Sequence, residues 1–212
     1  MLPLHPAFVW IINPRVLGLS FAALTIGSMV PDIEPAISYL AGASVFCGVS
    51  VECKAAPDRL VLHSIVGAVT VDVGLTFLFC LLIARLFKPE KFGLKGFSKI
   101  SMNWTFYISA AIGSLIHVFV DWLHHPANPI FWPLLVGNPP SYYVPGLLLP
   151  YMNVFSASFI VAIIGACLMI IVATRALTRS KYTFSELASN PVLVISLLTE
   201  SLEGTSRSSS SR

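Results

Sequence analysis

The stretch ISMNWTFYISAAIGSLIHVFVDWLHHP, residues 100–126, decides the fold. Residues 100–123 are apolar and, at about 1.5 Å per residue in a helix, long enough to cross a hydrocarbon core of roughly 30 Å. His117 and Asp121 lie at the end of this run. Because they are four residues apart, both side chains project from one helical face, a usual spacing for two ligands of one metal ion. The stretch therefore predicts a transmembrane helix that ends in a binding site.

The rest of the chain has the composition of an integral membrane protein. Of its 212 residues, 56% are hydrophobic and 11% are charged, and the mean hydropathy is +0.81, well above the value of a soluble domain. Residues 60–87 and 152–174 are also long enough to span a bilayer. We therefore predict an all-α, polytopic helical membrane bundle with three long transmembrane helices.

Two shorter apolar stretches, residues 4–12 and 16–30, come first and are separated by Asn13-Pro14. Proline restricts the residue before it and favours a turn, so this pair predicts a shorter N-terminal helical hairpin. We assign residues 1–182 to the helical membrane domain. Residues 183–212 are polar and end in a serine-rich run, which predicts a disordered cytoplasmic tail.

The distribution of lysine and arginine predicts how the bundle is oriented. These residues cluster within residues 85–99 and 175–181, and none occurs from 100 to 174. By the positive-inside rule, both clusters and the C-terminus are cytoplasmic, which indicates a multi-pass protein of the inner (cytoplasmic) membrane. The net charge of +3 includes no basic patch interleaved with aromatic residues, so nucleic acid is not an expected partner. Cys47 and Cys53 fall in an extracytoplasmic loop, as a disulfide or as two unpaired thiols.

Histidines and acidic residues collect at the extracytoplasmic ends of these apolar runs. Ionisable groups at membrane depth are costly, so several at one level indicate a site. Arg59, His63, Gly67 and Gly74 are spaced as one helical face, which would turn His63 into the bundle. The candidate residues are His5, Asp32, Glu34, Asp58, Arg59, His63, His117, Asp121 and His125.

Ordinary structural roles are the alternative for each candidate taken singly. His63 alone is typical of a hydrogen-bonded residue at a helix end, and Asp32 could cap a helix N-terminus. Asp72 falls near the middle of a span, on the helical face opposite His63, so we place it outside the site.

Three short motifs, together with an early histidine, resemble those of the inner-membrane metal-dependent hydrolase family, which includes a LexA-regulated group. They are GSMVPDIE at 27–34, RLVLHS at 59–64 and HVFVDWLHHP at 117–126, and the resemblance covers residues 4–133. The family motifs read PDxD or PDxE, an HRGxTHS-like element and HxxxDxxT. The resemblance implies metal ligands at Asp32, Glu34, His63, His117 and Asp121, with His125 at a trailing position. Asp58 and His124 replace a family histidine and threonine.

The leading hypothesis is a metal-dependent hydrolase that faces the extracytoplasmic side and acts on an ester or phosphoester of a membrane lipid. Mixed histidine and carboxylate ligands suit a divalent metal, Zn²⁺ or Mn²⁺. In this hypothesis Glu34 or Asp58 is the general base, and Arg59 binds a phosphate oxygen. The aromatic stretch 126–151 would guide a lipid tail or serve only as an interfacial anchor. The oligomeric state is left open.

Two other classes of function fit the same residues. A non-enzymatic membrane protein could bind or move metal ions or protons, which Asp72 favours because a conducting path needs polar groups within the span. A structural subunit would use the ionisable residues as buried hydrogen-bonded pairs.

Overall fold

The protein folds as a set of packed α-helices. The computed structural model describes residues 4–11, 17–40, 59–87, 100–126, 128–134 and 144–179. Within these residues the one β-type pairing is an isolated antiparallel bridge between Asn128 and Val144, so the all-α class is confirmed. The helices are α1 His5–Trp10, α2 Phe21–Gly27, a 3₁₀ turn Val30–Asp32, α3 Ile33–Leu40, α4 Ile65–Val69, α5 Val71–Phe87, α6 Trp104–His124 and α7 Val154–Arg179.

Helix α6 is the central element. Asn103 caps its N-terminus by accepting a hydrogen bond from Phe106 N at 2.8 Å, and 56% of its most apolar window is buried. Helix α2 packs so closely against it that a Cβ at Gly27 would lie 2.5 Å from the carbonyl oxygen of Ala110. Close approach of two backbones through small residues is the usual way in which helices pack in membranes. Just after α2, the carbonyl oxygen of Ser28 lies 2.8 Å from His117 Nδ1 in the second half of α6.

Helix α7 is peripheral and presents an apolar surface to its surroundings. Only 17% of its most apolar 18-residue stretch is buried, and its outward face carries large apolar side chains such as Phe159 and Ile164. Its inner face packs on α1, where a Cβ at Gly165 would lie 3.2 Å from both Leu4 and Phe8. An exposed apolar face on a long helix is what contact with lipid requires.

The expected count of three long transmembrane helices is not confirmed. Among the described residues, two helices, α6 and α7, are long and apolar enough to cross a membrane. Residues 60–87 do not form one helix, because helical structure begins only at Ile65 and is interrupted at Thr70. The remaining helix α5 has 17 residues, about 26 Å in length, which is short of a hydrocarbon core of roughly 30 Å.

The predicted helical face from Arg59 to Gly74 is wrong for the same reason. Arg59 and His63 precede the helix, and Ser64 caps it by accepting a hydrogen bond from Gly67 N at 2.9 Å. His63 is nevertheless buried. It reaches the interior from the turn before α4 rather than from a helical face.

The N-terminal apolar stretches form helices α1 and α2, which lie against each other. Trp10 Nε1 donates a hydrogen bond to Thr25 Oγ1 at 2.9 Å, and the rings of Trp10 and Phe21 have centroids 6.2 Å apart. The predicted turn between the two stretches, at Asn13-Pro14, lies outside the described residues. This packing brings the start of α1, and with it His5, beside the 3₁₀ turn that carries Asp32.

Several predictions concern residues outside the described part of the chain. These are the extracytoplasmic loop with Cys47, Cys53 and Asp58, the basic link 88–99, and the tail 183–212. The disulfide, the cytoplasmic placement of the link and the disordered tail therefore stay predictions.

Candidate metal centre

All five histidines of the chain lie in one buried cluster near the C-terminal end of α6. They come from the start of α1, from the turn before α4, and from the last two turns of α6 and the residue that follows it. The cluster surrounds the carboxylate of Asp121, which is 1% exposed. Its members are His5, Asp32, Glu34, Arg59, His63, His117, Asp121, His124 and His125.

Asp121 is the centre of this cluster, and its two oxygens face different partners. Oδ2 lies 3.3 Å from His63 Nε2 and 3.6 Å from His117 Nε2. Oδ1 lies 3.1 Å from His5 Nε2 and 3.7 Å from His125 Nε2. Four imidazole rings therefore point a ring nitrogen at one buried carboxylate.

His117 is held in a defined tautomer. Its Nδ1 lies 2.8 Å from the carbonyl oxygen of Ser28, and because a carbonyl can only accept, Nδ1 carries the proton. In the neutral ring Nε2 then bears a lone pair. That lone pair faces carboxylate oxygens of Asp121 and Asp32, at 3.6 and 3.8 Å, without a hydrogen-bond partner.

His63 is oriented by Glu34. The Nδ1 atom of His63 lies 3.2 Å from Glu34 Oε2, so its Nε2 points at Asp121 and has no hydrogen-bond partner either. A histidine that donates one ring N–H to a carboxylate and offers the other nitrogen to the centre is the usual arrangement of a metal ligand.

Glu34 also holds the backbone that carries His63. Its carboxylate accepts hydrogen bonds from the N–H groups of Leu60, Val61 and Leu62 at 2.9, 2.8 and 3.2 Å. Burial alone would raise the pKa of Glu34, but the bonds from His63 and from these N–H groups lower it overall, so the group is ionised. Both of its oxygens are thus occupied in fixing the turn before α4.

His5 bridges two carboxylates. Its Nδ1 lies 3.3 Å from Asp32 Oδ2 and its Nε2 3.1 Å from Asp121 Oδ1. Burial acts to lower the pKa of His5, but hydrogen bonds and charge from Asp121 and Asp32 outweigh it and raise the pKa to about 9. Without a metal ion, a proton on His5 therefore offsets part of the negative charge of the cluster.

The donor set fits a divalent metal ion. In His117, an acceptor nitrogen faces acceptor oxygens, and such a pairing is repulsive unless a cation or a proton lies between them. Burial lowers the pKa of His63, but its hydrogen bonds to Asp121 and Glu34 raise it overall, so without a metal ion this ring tends to hold a proton toward Asp121. Two ligands of a tetrahedral ion, each about 2.1 Å from it, are roughly 3.4 Å apart. The nitrogen–oxygen separations of 3.3–3.8 Å from His63 and His117 to the two carboxylates are close to that value. Asp32, His63 and His117 form one triad that could hold a metal, and His5, His117 and Asp121 form another.

Arg59 lies at the edge of the cluster. Its Nη2 donates a hydrogen bond to His125 Nε2 at 3.0 Å and lies 3.5 Å from Asp121 Oδ2. Burial, helped by the charge of Arg59 and opposed by that of Asp121, lowers the pKa of His125 to about 2. The ring of His125 is therefore neutral, and its Nε2 accepts the hydrogen bond from Arg59.

His124 belongs to the cluster although the sequence analysis did not place it among the metal ligands. It is fully buried, and with Asp121 and His125 it forms a third triad able to hold a metal. The signal that could have found it is its spacing, since His124 is seven residues after His117 and so returns to the same face of α6.

Asp72 lies apart from the cluster. Asp72 is buried between α5 and α6, where Ser114 Oγ donates a hydrogen bond to its Oδ2, in keeping with its exclusion from the site. Asp58, predicted as a general base, is outside the described residues.

The sequence profile of the YdjM inner membrane protein family matches residues 7–199. The chain belongs to this family. The resemblance drawn from the short motifs is therefore confirmed, because the matched family is the group that those motifs indicated. No curated protein and no solved structure matches the chain.

Two of the motifs noted in the sequence meet at the cluster. The PDxE motif supplies Asp32 to the cluster and Glu34 to the turn before α4, while HxxxD supplies His117 and Asp121. At the threonine position of the family motif this YdjM protein has His124, a residue that can bind metal. His124 thus adds a further imidazole to the cluster.

Proposed function

We propose that this YdjM protein is a metal-dependent hydrolase embedded in the inner membrane. One observation carries the proposal. All five histidines, drawn from segments far apart in the chain, lie around Asp121 and Asp32, and His117 presents a lone pair to both carboxylates. Purely structural hydrogen-bonded pairs would leave donors facing acceptors, and His117 does not.

The proposed ligands of the metal are His5, Asp32, His63, His117 and Asp121. Mixed imidazole and carboxylate donors suit Zn²⁺ or Mn²⁺. When bound, such an ion polarises an ester or phosphoryl oxygen and makes a bound water acidic enough to act as a nucleophile near neutral pH. The chain's own contribution is to hold the donors at fixed separations in a buried, low-dielectric setting.

The surrounding residues have separate roles in this proposal. Because Glu34 accepts four hydrogen bonds in the turn before α4, we assign it to positioning His63 rather than to proton transfer. The general-base role then falls to Asp58. Arg59, with its planar guanidinium beside Asp121, would bind an oxygen of the substrate phosphate.

A lipid is the proposed substrate class. The cluster lies at one end of α6, and the adjoining helix α7 presents apolar side chains outward, so a lipid headgroup could reach the site while its tail stays in the bilayer. The absence of Lys and Arg from residues 100–174 supports an extracytoplasmic site, a multi-pass topology and a cytoplasmic C-terminus.

The test is to purify the protein in detergent under metal-replete conditions and measure bound metal by elemental analysis. We expect stoichiometric metal in the wild type and its loss in His117→Ala and Asp121→Ala. Release of phosphate from a panel of lipid phosphates, abolished in Asp32→Asn, would then separate an enzyme from a metal carrier. Absence of metal from the folded wild type would overturn the proposal.

A second candidate function is the movement of ions or protons across the membrane, and one observation favours it. Asp72 and Thr76 are buried one helical turn apart on α5, and each has an oxygen without a hydrogen-bond partner. Polar groups therefore continue from the level of the cluster along α5. Uptake of Mn²⁺ or protons into proteoliposomes that is lost in Asp72→Asn, without lipid hydrolysis by the wild type, would favour this function.

A further inference from the structure

The carboxylate of Asp121 is placed between two different sets of imidazoles. Oδ2 faces His63 and His117 and Oδ1 faces His5, all of which belong to the proposed metal site, while Oδ1 also lies 3.7 Å from His125. A carboxylate that contacts two sets of donors can bridge the two ions of a two-metal site, which lie about 3.5–4 Å apart.

His124 completes the second set. It is 0% exposed, and its Nδ1 donates to the carbonyl oxygen of Val120 at 3.0 Å, which leaves a lone pair on Nε2. That nitrogen is buried and has no hydrogen-bond partner in the described part of the chain. Leaving a buried polar atom unpaired is costly, so its presence points to a ligand.

We propose that Asp121, His124 and His125 hold a second divalent cation, bridged by Asp121 to the first. The three ligand atoms lie within 4.8 Å of one another, so rotations of the side chains would bring them to the roughly 3.4 Å separation of ligands on one ion. Two imidazoles and a carboxylate again suit Zn²⁺ or Mn²⁺. This proposal rests on the proposed function, because the first cation is the metal of the hydrolase site.

The guanidinium of Arg59 lies beside the proposed second cation site. Its guanidinium now donates to His125 Nε2 and lies beside Asp121, so it supplies positive charge to this side of the cluster. Entry of a cation would displace the guanidinium by charge repulsion and by competition for the same nitrogen. The displaced guanidinium would then be able to bind an anionic oxygen of a substrate.

The test is a titration of the purified full-length protein with Mn²⁺, read by equilibrium dialysis with elemental analysis and by electron paramagnetic resonance. We expect two Mn²⁺ per wild-type chain and an exchange-coupled spectrum, because a bridging carboxylate couples the two spins. His124→Gln should bind one Mn²⁺ and show the six-line spectrum of an isolated ion. Ser109→Ala, a buried polar change on the same helix outside the cluster, should keep both ions.

Arg59→Gln is a second test variant, to be used if His124→Gln fails to fold. Removing the competing guanidinium should tighten binding of the second Mn²⁺ by roughly tenfold. A single Mn²⁺ in both the wild type and His124→Gln would overturn the second site while leaving the first intact. Two ions that persist in His124→Gln would also overturn it. No metal in the wild type would instead defeat the proposed function itself.

Discussion

Replacing Glu34 by glutamine tests whether the metal site depends on the orientation of His63. In the wild type, Oε2 accepts hydrogen bonds from Leu60 N, Leu62 N and His63 Nδ1, and Oε1 accepts one from Val61 N. Glutamine has one acceptor oxygen. Its amide NH₂ group must therefore face an N–H donor of the turn, most favourably that of Val61, where only one bond is lost.

The structure sets the size of two effects. An unpaired backbone N–H at Val61 should lower the free energy of unfolding by about 1–3 kcal/mol. Loss of the carboxylate behind His63 removes the charge that makes this imidazole a stronger ligand. Changes of this kind weaken metal binding by about 10–100-fold, which corresponds to roughly 1.4–2.8 kcal/mol.

The assay is competitive Mn²⁺ binding by purified Glu34→Gln, with thermal unfolding of the metal-free protein measured in parallel. Asp72→Asn is the matched control, since it neutralises a buried carboxylate outside the cluster and should leave Mn²⁺ affinity unchanged. Wild-type Mn²⁺ affinity in a folded Glu34→Gln variant would refute the positioning role.

Three further outcomes are expected. The pKa of His5 in the metal-free protein is about 9, so below that pH Mn²⁺ must displace a proton from His5 in order to bind. The affinity for Mn²⁺ should therefore rise by up to about tenfold per pH unit from pH 6.5 to 8.5. An Mn²⁺ affinity that does not change with pH would exclude His5 as a ligand. Gly27→Ala should lower the free energy of unfolding by about 1–3 kcal/mol, because the new Cβ would collide with Ala110. The control Gly74→Ala, whose new Cβ has no atom within 4 Å, should leave the stability unchanged or raise it. Equal shifts of the unfolding temperature in the two variants would contradict the close packing of α2 on α6. Ile164→Lys on the outward face of α7 should raise the cost of membrane insertion by about 2.5–3.5 kcal/mol, and unchanged insertion in a translocation assay would place this face away from lipid.

Two of the three predicted membrane spans coincide with long helices of the structure, and the third does not. Residues 100–123 and 152–174 are long apolar runs, and the structure has α6 and α7 there. Residues 60–87 look similar in composition, but their first residues are held in a turn by Glu34, which is 26 residues before Leu60. Local hydropathy does not depend on a hydrogen bond to a carboxylate that is distant in sequence. The helix predicted for residues 60–87 therefore began too early.

The site, too, could be predicted from the sequence only in part. His117 and Asp121 could be paired from sequence, because the period of the helix places residues four apart on one face. The contact of His5 with Asp121 spans 116 residues, and no local pattern encodes it. His124 is not among the predicted ligands, although its spacing of seven residues from His117 returns it to the same face of α6.

The sequence by itself determined that this is a helical membrane protein whose histidines and carboxylates collect at the ends of apolar runs. Composition and local periodicity are sufficient for that, since both follow from the cost of burying polar groups in lipid. The tertiary structure decided that all five histidines meet at Asp121, that Glu34 orients His63 and that His124 faces a shared carboxylate. These relations arise only when distant segments pack together, because the tautomer and direction of a ring are set by the atoms it touches.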